Sequence, residues 1–314
     1  MPPVGGGGYV EARPVPDVRR SSMIFVTFAA YALGFGLGLA ADRGGPRVRR
    51  DWPIYLRAQL LATAGVVGVV TAWRLTAPRQ LIGPVLVAAV LGVLLVAAFV
   101  TRRGASGGTA SLDAWAAGPN GAFWVVPMAG AFAGPPAVAL AVLANAAYGV
   151  PTAVSVHLLR RDAPLHQRRS TSWVDQAGGL AIGIGLLLHL VGPAPAGTHW
   201  VLVVAGPAFA FTGAALFTGS VVHPHNTEAA HDRADVRRWL LLSLVRVAYL
   251  LPIALLAGGP ALAVVAVLSA FGAPTFNPPQ LAVLYGYRSG VVNVAARYGW
   301  VLLPVGIVLA VLVR

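Results

Sequence analysis

Apolar residues run along this chain in blocks of about twenty, separated by short polar or arginine-bearing stretches. About twenty residues of helix cross the hydrocarbon core of a bilayer. Ten such blocks lie at 22–41, 55–73, 80–100, 110–133, 136–159, 173–192, 199–222, 238–257, 260–285 and 290–313. The pattern predicts an all-α polytopic membrane protein with about ten transmembrane helices. Residues 1–21, polar and rich in glycine and proline, are expected to form a flexible tail without the features of a signal peptide.

Two of the blocks are interrupted. The fourth contains Pro119-Asn120-Gly121-Ala122-Phe123-Trp124-Val125-Val126-Pro127, and the ninth contains Ala273-Pro274-Thr275-Phe276-Asn277-Pro278-Pro279. Broken backbone at membrane depth is tolerated only where protein buries it or a watery cavity meets it. Paired breaks in corresponding positions of two halves point to a transporter's binding site. Ten spans divide into five and five, and an odd number per half inverts the second half relative to the first. Span 4 then corresponds to span 9. The expected organisation is a first repeat over 22–159, a cytoplasmic linker over 160–172 and a second, inverted repeat over 173–314.

Composition agrees with a bilayer environment. Only 11% of residues are charged, where a soluble domain carries about 25%. The absence of cysteine excludes disulfides, and all 23 basic residues are arginine, which excludes a Schiff-base or P-loop lysine. The net charge of +13 is distributed in short clusters between apolar runs, the pattern of loops facing anionic lipid and not of a nucleic-acid groove. Loops after odd-numbered spans hold 15 arginines, against 6 in the tails and the other loops. Because cytoplasmic loops retain arginine, both termini are expected outside a cell membrane.

The residues of the two breaks resemble motifs of the auxin efflux carrier family, within the bile acid, auxin and arsenite transporter group. Asn120, Phe123 and Pro127, with the Phe-x-Gly at Phe132 and Gly134, match the family's fourth-helix motif. Pro274 and Asn277, leading to Tyr285-Gly286, resemble its ninth helix, and Arg246 with Pro252 resembles its eighth. Ala122 and Val125 stand where the family carries glycine, and the second motif is one residue shorter. The resemblance spans about residue 22 to the C-terminus. It implies a scaffold, a mobile transport domain holding the crossed broken helices, and a small organic anion as substrate.

The chemistry of the residues points the same way. A proline inside a helix removes a hydrogen bond and disturbs the preceding turn, so Pro127 and Pro274 are expected to open their helices. Half-helix N-termini suit a carboxylate. Asn120 and Asn277 either satisfy freed backbone or touch substrate, and Phe123, Pro278 and Gln280 complete the candidate lining. Asn145 and Tyr148 of span 5 are placed beside the breaks, or Asn145 ties helices together. Asp113, about two turns before Asn120, either meets its own helix dipole or exchanges a proton or cation during transport. Arg246 pairs with an anion, snorkels to the nearer interface or ties helices together. Asp175 fits a helix cap at the start of span 6. His223, His225 and His231 form a solvated loop or, less simply, a metal site.

The expectation is therefore a secondary or facilitated carrier, not an enzyme. It needs no cofactor beyond a coupling H+ or Na+, and its partners are a small carboxylate and lipid, with a homodimer as candidate assembly. The rivals are a non-transporting sensor or subunit on the same scaffold and a metal-dependent intramembrane enzyme.

Overall fold

The computed structural model describes residues 17–74, 113, 121–147, 157, 177–222, 232–255, 259–272 and 290–314. Its elements are α1 (Asp17–Asp42), α2 (Pro46–Trp73), a π-helical turn (Gly121–Val125), α3 (Val126–Ala147), α4 (Ala177–Val191) and α5 (His199–Val222). Then follow α6 (Arg233–Leu255), α7 (Pro260–Ala270), α8 (Gly290–Tyr298), a 3-10 turn (Gly299–Leu302) and α9 (Leu303–Leu312). No strand occurs among the described residues. Four stretches are long and apolar enough to cross a bilayer: Ser21–Ala41, Gly121–Ala146, Ala196–Leu216 and Arg233–Leu255. They make this a membrane protein. Its outer surface carries exposed Phe25, Leu33, Leu187, Leu190, Leu244 and Val308, as a lipid-facing surface should.

The stretch Gly121–Ala146 does not cross as one rod. Gly134 has φ 74° and ψ −167°, a region essentially restricted to glycine. Pro135 and Pro136 follow, with the fixed φ that suits the first turn of a new helix. A Cβ on Gly130 would lie 2.8 Å from Val138 Cγ2, and one on Gly121 would lie 2.8 Å from Asn145 Cγ. In a straight helix Gly121 and Asn145 would be about 36 Å apart at 1.5 Å per residue. The segment is therefore an antiparallel hairpin, with its turn between the predicted spans 4 and 5.

Several helices differ in extent from the apolar blocks. α2 starts at Pro46, not at 55, after an extended Gly45. Its first turns, with exposed Arg47 and Asp51, are polar helix, which hydropathy does not register. Likewise α1 starts at Asp17 and α6 at Arg233. α7 stops at Ala270, so the ninth block is broken before Pro274 is reached. The tenth is interrupted by the 3-10 turn, which hands over to Pro304 in the first turn of α9.

Packing runs across the sequence halves. α1 lies along α5, where a Cβ on Gly34 would strike the Phe211 carbonyl oxygen and one on Gly38 would lie 2.9 Å from Ala215 O. α2 lies along α4, where a Cβ on Gly185 would strike the Val69 carbonyl oxygen. In lipid there is little hydrophobic force between helices, and small residues gain their contact by letting backbones approach. The buried core lies deeper, with Met128, Val138, Val264 and Leu268 fully enclosed.

Candidate functional site

The π-helical turn Gly121–Val125 is the first break, and Pro127 accounts for part of its chemistry. In a regular helix the Phe123 carbonyl accepts the amide of residue 127. Proline has no N–H, so that carbonyl needs another donor. The Tyr31 hydroxyl of α1 donates to Phe123 O at 2.6 Å. The Tyr31 ring also meets the Trp124 indole, with centroids 6.3 Å apart and planes tilted by 40°.

Helix α5 supports the other side of the turn with small residues one helical face apart. A Cβ on Gly213 would lie 2.6 Å from Phe123 Cβ, and one on Gly206 would lie 3.6 Å from Pro127 Cα. Ala210, between them, is fully buried. Asn145 of the returning hairpin arm stands against Gly121.

The end of α7 reaches the same place. Gly272 is buried, and a Cβ there would lie 3.1 Å from Trp124 Cδ1 and 2.6 Å from Leu268 O. The residue just before the second interrupted motif therefore packs against the indole of the first. Arg246 of α6, 5% exposed, secures this end. Its Nε donates to Ala270 O at 2.9 Å and its Nη2 to Gly272 O at 3.3 Å. The last carbonyls of a helix have no partners within it, and a cation there also meets the negative end of the dipole. These contacts tie α6 to the end of α7.

The polar groups of the junction are unevenly satisfied. The Trp124 indole is 8% exposed and its Nε1–H finds no acceptor among the described residues. The same holds for the Ser243 hydroxyl, one turn from Arg246 on α6. Asp113 is helical and buried at 3% exposed. Of the sequence-predicted site, Phe123, Pro127 and Asn145 gather at this junction. Asn120, Tyr148, Pro274, Asn277, Pro278 and Gln280 lie outside the described residues, as do Asp175, His223, His225 and His231. Among the described residues no three metal-binding side chains converge.

Tyr31, Trp124, Gly206 and Gly213 were not singled out from sequence. Tyr31 had a signal: Pro127 predicts an orphan carbonyl at Phe123, and a tyrosine in an otherwise apolar span is a donor seeking such a group. Trp124 lay inside the quoted motif, but nothing in the sequence says which way its N–H points. The chain matches no protein-family model and no curated protein.

Proposed function

We propose that the chain is a secondary carrier for a small organic anion, working by alternating access around spans 4 and 9 of a five-plus-five inverted repeat. The observation that carries this reading is the packing of Trp124, in the first interrupted segment, against Gly272, the residue just before the second. Irregular backbone at membrane depth needs such a protected place, and paired breaks mark carrier sites.

The packing of the other spans supports the inverted repeat. A two-fold that exchanges span 1 with 6 and span 2 with 7 converts a contact between spans 1 and 7 into one between spans 6 and 2. Those contacts are the two glycine seams, Gly34 on Phe211 and Gly185 on Val69. Each places a glycine of the first span in one half against a carbonyl of the second span in the other. The motif resemblance to auxin efflux carriers supplies the substrate class, a carboxylate.

In this reading Asn120 and Asn277 contact the anion or the backbone freed around it, with Phe123, Pro127 and Asn145 shaping one wall. Arg246 holds the helix end at Ala270–Gly272. Asp113, seven residues before Asn120, is the group assigned to proton coupling. The protein sits in the cell membrane with both termini outside.

The test is uptake into proteoliposomes of acetate, benzoate, succinate and citrate. Saturable uptake of one or more is expected. Asn120→Ala and Asn277→Ala should each lower uptake at least about tenfold, the loss of a hydrogen bond to a charged group. Saturable uptake left unchanged by both variants would remove the asparagines from the site. Folded protein that moves none of the four would overturn the carrier reading in favour of a sensor on this scaffold.

A further inference from the structure

The first two turns of α2 are basic where a helix start is ordinarily acidic. Arg47, Arg49 and Arg50 stand there, no acid lies in the first turn, and Gly45 before it supplies no side-chain cap. Cations at this end of a helix oppose its dipole, whereas anions suit it. The start of α6 is equally rich in arginine but is built differently. Asp232 and Asp235 each accept the other's amide, at 2.8 and 3.2 Å, and Arg238 lies 3.9 Å from the Asp235 carboxylate. That helix start brings its own acids. The start of α2 has only Asp51, in its second turn.

Packing sets the depth of these arginines. α1 and α5 run in the same direction, since Gly34 faces Phe211 and Gly38 faces Ala215. The end of α2 lies beside the start of α5: Trp73 Nε1 donates to Gly192 O and Arg74 to Thr198 Oγ1. The crossing stretch of α5 begins at Ala196, and that of α1 ends at Ala41. Trp73 therefore marks one boundary of the bilayer, and the chain enters α2 at the other. About twenty residues cross the hydrocarbon core, and counting back from Trp73 reaches Ile54. The helix before it, from Pro46 to Pro53, projects about 12 Å at 1.5 Å per residue, enough to cover the headgroup layer. Arg43 and Arg47 are exposed there. Tyr55, 62% exposed, lies at the boundary, where aromatic rings favour the headgroup level. Residues 42–57 hold five arginines against two aspartates.

We infer that the arginine-bearing start of α2 is a binding surface for anionic phospholipid headgroups. Arginine forks onto phosphate oxygens with paired, charge-assisted hydrogen bonds, and phosphodiesters lie at this depth in the bilayer. A choline headgroup brings its own cation, so the net positive charge of the surface selects phosphatidylglycerol over phosphatidylcholine. The bound phosphates supply the negative charge that the helix start lacks. They also hold α2 at a fixed height, opposite Trp73 at the other boundary. The surface does not depend on what the chain transports.

The full-length protein in detergent is titrated with short-chain phosphatidylglycerol and, separately, with short-chain phosphatidylcholine, and thermal unfolding gives the apparent affinities. Phosphatidylglycerol should bind at least about tenfold more tightly, and the preference should collapse as salt rises from about 50 mM to about 500 mM. Replacing Arg47, Arg49 and Arg50 together by glutamine should weaken phosphatidylglycerol at least about tenfold, each arginine being worth up to about fivefold. Replacing the three by lysine keeps the charge and loses the fork, so the affinity should stay within about fivefold. Glutamine at Arg233, Arg237 and Arg238 should leave it within about threefold. Asp51→Asn should strengthen it about threefold, a gain that survives as a test if the glutamine triple at α2 does not fold. Equal binding of the two lipids by wild type would overturn the inference, as would undiminished phosphatidylglycerol affinity in the glutamine triple. An unchanged affinity in Asp51→Asn together with indifference to salt counts against it equally. Loss in the α6 triple alone would move the surface to α6. Binding of polyglutamate in place of either lipid would also overturn it, by giving the surface to an acidic protein.

Discussion

Replacing Arg246 separates a structural tie from a substrate ligand. The guanidinium is buried and donates to Ala270 O at 2.9 Å and Gly272 O at 3.3 Å. Each carbonyl left unpaired in the interior costs about 1–3 kcal/mol. The shorter bond should lie towards the top of that range and the longer towards the bottom. Arg246→Ala is therefore expected to destabilise the protein by about 4 kcal/mol from the two lost bonds, and the vacated stem adds to that loss. Arg246→Lys can reach one carbonyl but cannot fork to two, so about 2 kcal/mol is expected. Chemical denaturation in detergent, followed by circular dichroism, measures both. Uptake by the fraction that remains folded should fall less than stability does, because the helix end is frayed but not removed. If Arg246→Ala is as stable as wild type and uptake is abolished, the reasoning fails and the guanidinium belongs to the anion.

Gly34→Ala and Gly185→Ala each place a Cβ on a backbone carbonyl, Phe211 O and Val69 O respectively. Each should lower stability by about 1–3 kcal/mol, roughly additively, in the same denaturation assay. Gly36→Ala and Gly183→Ala meet open space and should be neutral or stabilising by up to about 1 kcal/mol; similar losses at all four positions would refute the seams. Gly134→Ala must hold φ 74° and ψ −167° with a Cβ, at about 1–3 kcal/mol, and limited proteolysis at the 134–136 turn should rise.

The sequence pattern anticipated elements whose limits are set by lipid. The block at 199–222 coincides with α5, because the Gly- and Pro-containing run Gly192–Gly197 ends one apolar stretch and polar residues end the next. The turn at Gly134 was legible as the boundary between two blocks, since Gly-Pro-Pro cannot continue a helix. Polar helix beyond the bilayer was not legible: Pro46 to the fifties carries too many charges to resemble a span, yet propensity and a proline start suffice to extend α2. Partners across the halves were also hidden. Gly34 and Gly185 look alike in sequence to Gly36 and Gly183, and only the fold decides which of them meets a carbonyl. At the site, Pro127 announced a freed carbonyl, but the Tyr31 donor lies 92 residues away in sequence. The second motif's Asn277 and Pro278 fall outside the described residues, so of the residues read from the two breaks only Phe123 and Pro127 have a described setting.

The contacts also sort the helices by how freely they could move past each other. α1, α2, α4 and α5 are joined by glycine seams in which backbone lies on backbone, and the end of α2 is tied to the segment after α4. There Trp73 Nε1 donates to Gly192 O at 2.9 Å and Arg74 donates to Thr198 Oγ1 at 2.8 Å. The hairpin α3 packs against both α5 and α7, Arg246 fastens α7 to α6, and Phe271 at the end of α7 lies against Gly306 of α9. The π-helical turn and the start of α3 meet α5 at Gly213 and Gly206, which lie against Phe123 and Pro127, so that α5 offers them a face of small residues. The turn meets α1 through the Tyr31 hydrogen bond to Phe123 O and the Tyr31–Trp124 ring contact. Interdigitated side chains resist sliding, whereas a glycine–alanine face does not, and one hydrogen bond of about 1 kcal/mol net is a small barrier to exchange. On the carrier reading, alternating access therefore runs along this face. On that reading the seams would be the fixed scaffold and the set carrying the interrupted segments the transport unit.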